Sequence, residues 1–206
     1  MLITHVLNNK LQYIIVFIAF GYLGTLPVFP TIFSIFSVFI AFIIIFNSKN
    51  NNEEAFVFSS YIVGAEIFFR MTGGLIFHET GKYAVMFFLI LGILIGRFKQ
   101  QFSLHYLTYI FLLLFGIVFT SVPEGESLRK AITFNLSGPI VLGVAAFYFY
   151  KRPISKKQLY DGLFFMLLPI FSTTSYLYLR TPDLSEIIFG ATANFDTSGG
   201  FGPNQV

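Results

Sequence analysis

Long runs of apolar residues, separated by short polar loops, are the feature that most constrains the fold of this chain. Hydrophobic residues make up 55% of its 206 positions and charged residues 11%, and the mean hydropathy is +0.75. A helix of about 20 residues spans the roughly 30 Å hydrocarbon core of a bilayer, so runs of this length predict membrane-spanning helices. We therefore expect an all-α, polytopic transmembrane bundle in contact with membrane lipid.

The spacing of the polar loops predicts seven spans. They run from about 11 to 28, 31 to 46, 53 to 73, 83 to 96, 104 to 122, 131 to 150 and 159 to 179. These spans would form one helical bundle over residues 1–179. The polar, glycine-rich residues 180–206 would begin an extracytoplasmic loop.

The distribution of basic residues predicts the orientation of the bundle. With a cytoplasmic N-terminus, eight of the 13 Lys and Arg residues fall on the inner side, among them the loop KRPISKK at residues 151–157. This arrangement satisfies the positive-inside rule. The pI of about 9.1 also fits a nucleic-acid-binding protein, but the basic residues lie in short loops between apolar runs. Nucleic acid is therefore not expected as a partner.

Metal and thiol chemistry is not predicted from the sequence. The chain has no Cys, and its three histidines, His5, His78 and His105, are far apart in the sequence. They form no set with the spacing of metal ligands. No metal cofactor is therefore expected.

The stretch YIVGAEIFFRMTGGLIFHETGK, residues 61–82, places two opposite charges within an apolar helix. Glu66 and Arg70 are four positions apart with the acid first, the favourable order for a helical ion pair. An unpaired charge near the bilayer centre costs roughly 2.5 to 3.5 kcal/mol on insertion scales, so the spacing predicts that the two side chains pair. Charges kept inside a span indicate a functional site. The alternative is a purely structural pair that locks this helix against its neighbours.

Arginines at the outer ends of three separate segments indicate an anion-binding site. In the predicted orientation Arg70, Arg129 and Arg180 lie on the outer side, where the positive-inside rule does not explain them. Planar guanidinium groups bind phosphate bidentately and stay charged at physiological pH. We expect the three arginines to converge on a lipid-linked phosphate or diphosphate, with Glu66 and Glu79 orienting them.

Polar residues in the outer halves of the last two spans predict a water-filled cavity. The sixth span carries Asn135 between two hydroxyl residues, ahead of Pro139, which cannot donate a hydrogen bond to the Asn135 carbonyl. The seventh carries the segment STTS at residues 172–175 after Pro169. Hydroxyls and a loosened backbone suit a cavity open to the outer side. The alternative is ordinary helix packing by small polar residues.

Two segments resemble the bacterial O-antigen ligase and O-antigen polymerase superfamily of multi-span glycosyltransferases. The first is GAEIFFRMTGGLIFHETGKY, residues 64–83. The second is SGGFGPNQV, residues 198–206. It contains a glycine-rich G-x-x-x-x-N element that ends at Asn204 and is similar to an element in the outer loops of this superfamily.

The resemblance implies a reaction and its partners. Members move a glycan from undecaprenyl diphosphate to an acceptor hydroxyl on the outer face of the bacterial inner membrane. The acceptor is the lipid A core for a ligase and the growing polysaccharide for a polymerase. The reaction requires neither a metal cofactor nor a nucleotide sugar. Arg180 matches a family arginine that holds the diphosphate, so the resemblance implies a catalytic role for it. The roles of Arg70 and Arg129 come from the predicted topology alone.

The superfamily bundles contain more helices than this chain and a large outer loop that carries a histidine and another arginine. The resemblance therefore implies that these 206 residues are the N-terminal half of a larger protein, inactive alone. The competing hypothesis is a transporter or flippase that uses the Glu66 and Arg70 pair in an alternating-access path.

Overall fold

The computed structural model describes residues 2–77, 79–101, 103–121 and 127–180. Regular secondary structure within these ranges is helical, which confirms the predicted all-α class. The helices are α1 (Leu2–Asn8), α2 (Lys10–Leu23), α3 (Phe29–Ser48), α4 (Glu54–Met71), α5 (Thr80–Ile95), α6 (Leu104–Gly116), α7 (Leu128–Phe149) and α8 (Lys156–Arg180). A 3-10 turn, Ile117–Phe119, continues α6.

Each of the seven predicted spans coincides with one of the helices α2 to α8. Within the described ranges, three helical segments are long and apolar enough to cross a membrane: α3, Ala131–Phe149 of α7, and α8. The apolar helices α2, α5 and α6 are shorter, and the 18 residues of α4 include Glu54, Glu66 and Arg70. The three long helices indicate a membrane protein. The count of seven spans and the cytoplasmic N-terminus stay predictions.

Both ends of α4 are set by local backbone geometry. The helix ends at Met71, shortly before Gly73, whose φ of 70° lies in the left-handed region that glycine adopts readily. The glycines at 73 and 74 therefore follow the end of the helix closely. The sequence placed Glu53 in the first turn of this helix, but Glu53 precedes it in a left-handed conformation with φ of 61°.

The core of the bundle is built around α4. This helix packs most extensively against α8 and α5, and α2 also packs against α8. The backbones approach closely at two glycines: a Cβ on Gly64 would lie 2.1 Å from the carbonyl oxygen of Met166, and one on Gly21 would lie 2.5 Å from that of Ser172. Membrane helices pack in this way where small residues let their backbones touch.

Helix α3 packs against both α4 and α5, and α1 packs against α2, whereas α7 and α6 extend outward from α5. α7 packs against α5, and α6 packs against α7. No residue of α6 is buried, so its apolar side chains lie on the surface of the described bundle. The molecule therefore has a dense part around α4 and a looser arm formed by α6 and α7.

Polar residues collect at the two ends of the bundle, which we call the arginine end and the lysine end. The arginine end comprises residues 66–71 of α4, 79–83 of α5, 127–137 of α7 and 176–180 of α8. The lysine end comprises the loops 49–53, 96–101 and 150–155. Contacts between helices join the segments at each end, and these contacts define the candidate sites.

Candidate functional site

The ion pair predicted in α4 is present at the arginine end. Both Nε and Nη2 of Arg70 donate to Oε1 of Glu66, at 3.2 and 2.6 Å. The side chains are 16% exposed for Arg70 and 23% for Glu66, so the pair is mostly but not fully shielded from solvent. Two N–H donors that converge on one oxygen restrict the orientation of the guanidinium group.

The Glu66 carboxylate lies against the first turn of α5. A Cβ on Gly81 would lie 3.0 Å from the Glu66 carboxyl carbon and 3.1 Å from its Oε2 atom. The absence of a side chain at Gly81 therefore lets the pair on α4 reach α5. This contact places the Glu66–Arg70 pair beside the charged residues of the first turn of α5.

A second group of charged residues links α5 to α7, and only one of its two charged residues was predicted from the sequence. Lys82 Nζ lies 2.6 Å from Oε2 of Glu79, which is 5% exposed. The hydroxyl of Ser137 on α7 donates to the same oxygen at 2.9 Å, and Lys82 Nζ donates to Ser137 Oγ at 3.3 Å. From the sequence, Glu79 was predicted as a partner for arginines, and Lys82 was not predicted as a site residue. The i, i+3 spacing of Glu79 and Lys82 was the available signal.

A small cavity opens beside this group between α5 and α7. Its volume is about 160 Å³, and Ser137 and Thr133 contribute hydroxyl groups to a lining that is otherwise apolar except for Tyr83. Thr133 and Ser137 of the predicted polar segment line this cavity and Asn135 does not, and its opening to the outer side of a membrane stays a prediction. On α8 the alternative of helix packing holds, because Ser172 is buried and donates to the carbonyl of Phe17 on α2 at 2.6 Å.

Arg180 lies at the same end of the bundle as Arg70. It is the last residue of α8, it is exposed, and its Cζ atom lies 5.7 Å from the centre of the Tyr176 ring. The Tyr176 hydroxyl donates to the carbonyl of Met71, the residue after Arg70, at 3.3 Å. Tyr176 therefore ties the two arginine-bearing helix ends together.

The other predicted site residues are not joined to this cluster. Arg129 and Asn135 are exposed on α7, and within the described residues neither side chain hydrogen-bonds to Glu66, Arg70 or Glu79. The structure places the helix ends that carry Arg70 and Arg180 next to each other, and the convergence of three arginines on one ligand stays a prediction. Asn204 and the segment 198–206 lie outside the described residues.

A buried ion pair at the lysine end was missed by the sequence analysis. Arg152 Nη1 donates to both carboxylate oxygens of Glu53 at 3.0 Å, and the side chains are 0% and 10% exposed. Arg152 Nη2 donates to Oε1 of Gln100 at 3.0 Å. The Tyr148 hydroxyl also donates to Glu53, and Asn50 Nδ2 donates to that hydroxyl at 3.0 Å. We call these five residues the buried network.

The buried network satisfies the charges that it encloses. Arg152 Nε donates to the carbonyl of Tyr148 at 3.1 Å, and its guanidinium carbon lies 4.1 Å from the Tyr148 ring centre and 4.7 Å from that of Phe98. Buried charges are tolerated when they are paired and hydrogen-bonded in this manner. Nothing in the local sequence signals the pair, because its partners are 99 residues apart. Among the described residues, no buried side-chain polar atom of this network lacks a hydrogen-bond partner, so we interpret the network as structural.

Comparisons with known proteins found no match to this chain, whether with protein-family models, with curated proteins or with solved structures.

Proposed function

We propose that this chain is part of an O-antigen ligase-like membrane glycosyltransferase, which moves a glycan from undecaprenyl diphosphate to an acceptor hydroxyl. The acceptor is the lipid A core or a growing polysaccharide, and the reaction takes place on the outer face of a bacterial inner membrane. The arginine end is the outer end in this proposal. The observation that supports it most is the placement of Arg180 and the Glu66–Arg70 pair at one end of the bundle.

Arg180 is the group that meets the diphosphate in this proposal. It is exposed at the end of an apolar helix, where a lipid-linked phosphate at the membrane surface can reach it. As the glycosidic bond to the diphosphate breaks, negative charge grows on the leaving oxygen. A fixed guanidinium group stabilises that charge more in the transition state than in the ground state, which lowers the barrier.

Arg70 contributes a second guanidinium group whose orientation is held by Glu66. Because the carboxylate binds two of its N–H groups, the guanidinium plane is set before a substrate arrives. Such preorganisation reduces the reorganisation needed during the reaction. Lys82, which the structure brings into the same region through Glu79, adds a third positive charge on the neighbouring helix.

Replacement of Arg180 tests the proposal. Arg180→Ala in the full-length protein is expected to abolish glycan transfer, measured as loss of surface polysaccharide on a silver-stained gel, with membrane expression unchanged. Arg97→Ala, which removes an exposed arginine at the lysine end, serves as the matched control and is expected to retain transfer. Normal polysaccharide in the Arg180→Ala strain would rule out the assigned role.

Transport is a second candidate function, favoured by the position of Glu66 and Arg70 within the helix α4. An intramembrane acid and base that can separate and re-form is a feature of transport paths. Purified full-length protein in vesicles discriminates the two functions. Movement of a lipid or solute across the vesicle membrane, with no glycan transfer, would assign the pair to transport.

A further inference from the structure

Three exposed lysines stand next to residues of the buried network at the lysine end. Lys49 precedes Asn50, Lys99 precedes Gln100 and Lys151 precedes Arg152. Each pair lies in a different loop, and each lysine is exposed while its network neighbour is buried or half-buried. We call Lys49, Lys99 and Lys151 the lysine triplet.

Hydrogen bonds of the buried network bring the three loops to one place. Arg152 contacts Glu53 and Gln100, each at 3.0 Å, and Asn50 contacts Tyr148 at 3.0 Å. Consecutive Cα atoms are about 3.8 Å apart, so each lysine backbone lies one residue from a point held by these contacts. The network therefore gathers lysines from positions that are far apart in the chain.

The backbone at two of the lysines marks the point where a helix ends. Lys49 has φ of 52° and Lys151 has φ of 51°, both in the left-handed region. Lys49 is the C-terminal cap of α3, and Lys151 lies two residues after the end of α7, where helices commonly end in this conformation. These turns fix the direction in which each loop leaves its helix beside the buried network.

The acids near the triplet are occupied within the fold. The Glu53 carboxylate receives Arg152 and Tyr148. The Glu54 carboxylate, from a residue that is 4% exposed, accepts the backbone N–H and the side-chain amide of Asn52 at 3.0 and 3.1 Å. The exposed charge that the three loops present is therefore positive.

We propose that the lysine triplet binds the phosphate of an anionic lipid head group at this surface of the membrane. The loops lie at the ends of apolar helices. If these helices cross a membrane, the loops stand at the depth of the head groups, where clustered lysines attract anionic lipids. The positive-inside rule accounts for the number of basic residues at this end, but not for the gathering of three of them by a buried network. The proposal does not depend on the glycosyltransferase assignment.

Lipid binding to matched charge variants tests the proposal. Phosphatidylglycerol is titrated into the detergent-purified protein, and retained lipid is counted by native mass spectrometry with phosphatidylcholine as the uncharged comparison. The variant Lys49→Gln, Lys99→Gln, Lys151→Gln is expected to bind phosphatidylglycerol roughly a hundredfold more weakly, at about tenfold for each 1.4 kcal/mol and about 1 kcal/mol per lysine. Binding of phosphatidylcholine is expected to stay unchanged.

The control variant is Lys10→Gln, Lys156→Gln, Lys157→Gln. It removes the same charge from exposed lysines at the same end of the bundle, none of which adjoins a network residue. Less than a threefold loss is expected. Equal losses in the two triple variants would show diffuse attraction by net charge and would overturn a discrete site.

A variant that leaves the charge unchanged separates geometry from charge. Gln100→Ala removes the bond from Arg152 to the loop that carries Lys99, and it is expected to weaken phosphatidylglycerol binding about tenfold. No change in Gln100→Ala would contradict a site assembled by the network. Two further outcomes would contradict the lipid assignment. The first is that inorganic phosphate raises the melting temperature of the purified protein as much as phosphatidylglycerol does. The second is that the protein forms a dimer without lipid and that only the lysine triplet variant loses this dimer.

Discussion

The arginine end and the lysine end hold their charges in opposite ways. At the lysine end, Glu53 and Arg152 lie 99 residues apart in sequence and form a buried pair that joins loops of different helices. At the arginine end, Glu66 and Arg70 lie on one helix, four residues apart, and both are partly exposed. A pair within one helix can loosen without moving any other helix, whereas a pair between loops cannot.

This difference separates the roles of the two ends. Removing one partner of a buried pair costs about 3 to 5 kcal/mol, because the remaining charge is left without compensation. A partly exposed pair at i, i+4 contributes about 0.3 to 0.5 kcal/mol. The buried network therefore holds the fold, and the Glu66–Arg70 pair can meet a ligand at a smaller cost in stability.

The largest effect on stability is expected from Arg152→Ala. It leaves the Glu53 carboxylate buried with only the Tyr148 hydroxyl among its network partners, so the free energy of unfolding should fall by about 3 to 5 kcal/mol. Denaturant unfolding in mixed micelles measures it. Lys151→Ala, at the adjacent exposed position, is the control and should change stability by less than about 0.5 kcal/mol. A loss below about 1 kcal/mol for Arg152→Ala would remove the contrast between the two ends.

The next effect is expected from Tyr148→Phe. This change deletes one hydroxyl, which donates to Glu53 and accepts from Asn50, and leaves the ring in place. A loss of about 1 to 3 kcal/mol follows from the unsatisfied buried groups. Tyr178→Phe, at a tyrosine that is 80% exposed near the arginine end, should have no measurable effect. Equal melting temperatures for the two variants would show that the network is not sealed from water.

An intermediate effect is expected from Lys82→Met. Glu79 is nearly buried, and the substitution leaves Ser137 as its partner across the helix interface. Since Lys82 is 30% exposed and its charge is screened, we expect a loss of about 1 kcal/mol. The same unfolding assay applies, with Lys157→Met as the exposed control. A loss as large as that of Arg152→Ala would place the arginine end among the structural parts of the bundle.

The smallest effect on stability, and the sharpest on function, is expected from Glu66→Gln. The free energy of unfolding should fall by less than about 0.5 kcal/mol. Glycan transfer by the full-length protein should fall about tenfold or more, because the Arg70 guanidinium is no longer held in one orientation. Stability and transfer are measured on the same preparation. Normal transfer with reduced stability would assign the pair to the fold instead.

Much of the helical architecture was predictable, because it depends on local patterns. The apolar runs predicted the helices α2 to α8, and the predicted end of the third span at residue 73 lies two residues beyond the end of α4. The short helix α1 was missed, since its seven residues, LITHVLN, form no run of span length. The prediction that Arg129 joins the cluster rested on topology alone, which assigns a residue to one side of a membrane but not to a place on that side.

The sequence by itself determined the helical membrane class and the Glu66–Arg70 pair. Both depend on residues close in the chain: hydrocarbon requires internally hydrogen-bonded segments of sufficient length, and a helix brings positions i and i+4 together. Only the tertiary structure decided that Arg152 meets Glu53, that Ser137 meets Glu79 and that Tyr176 joins the ends of α8 and α4. These contacts depend on how helices pack and on left-handed residues in the loops, and no local periodicity encodes either.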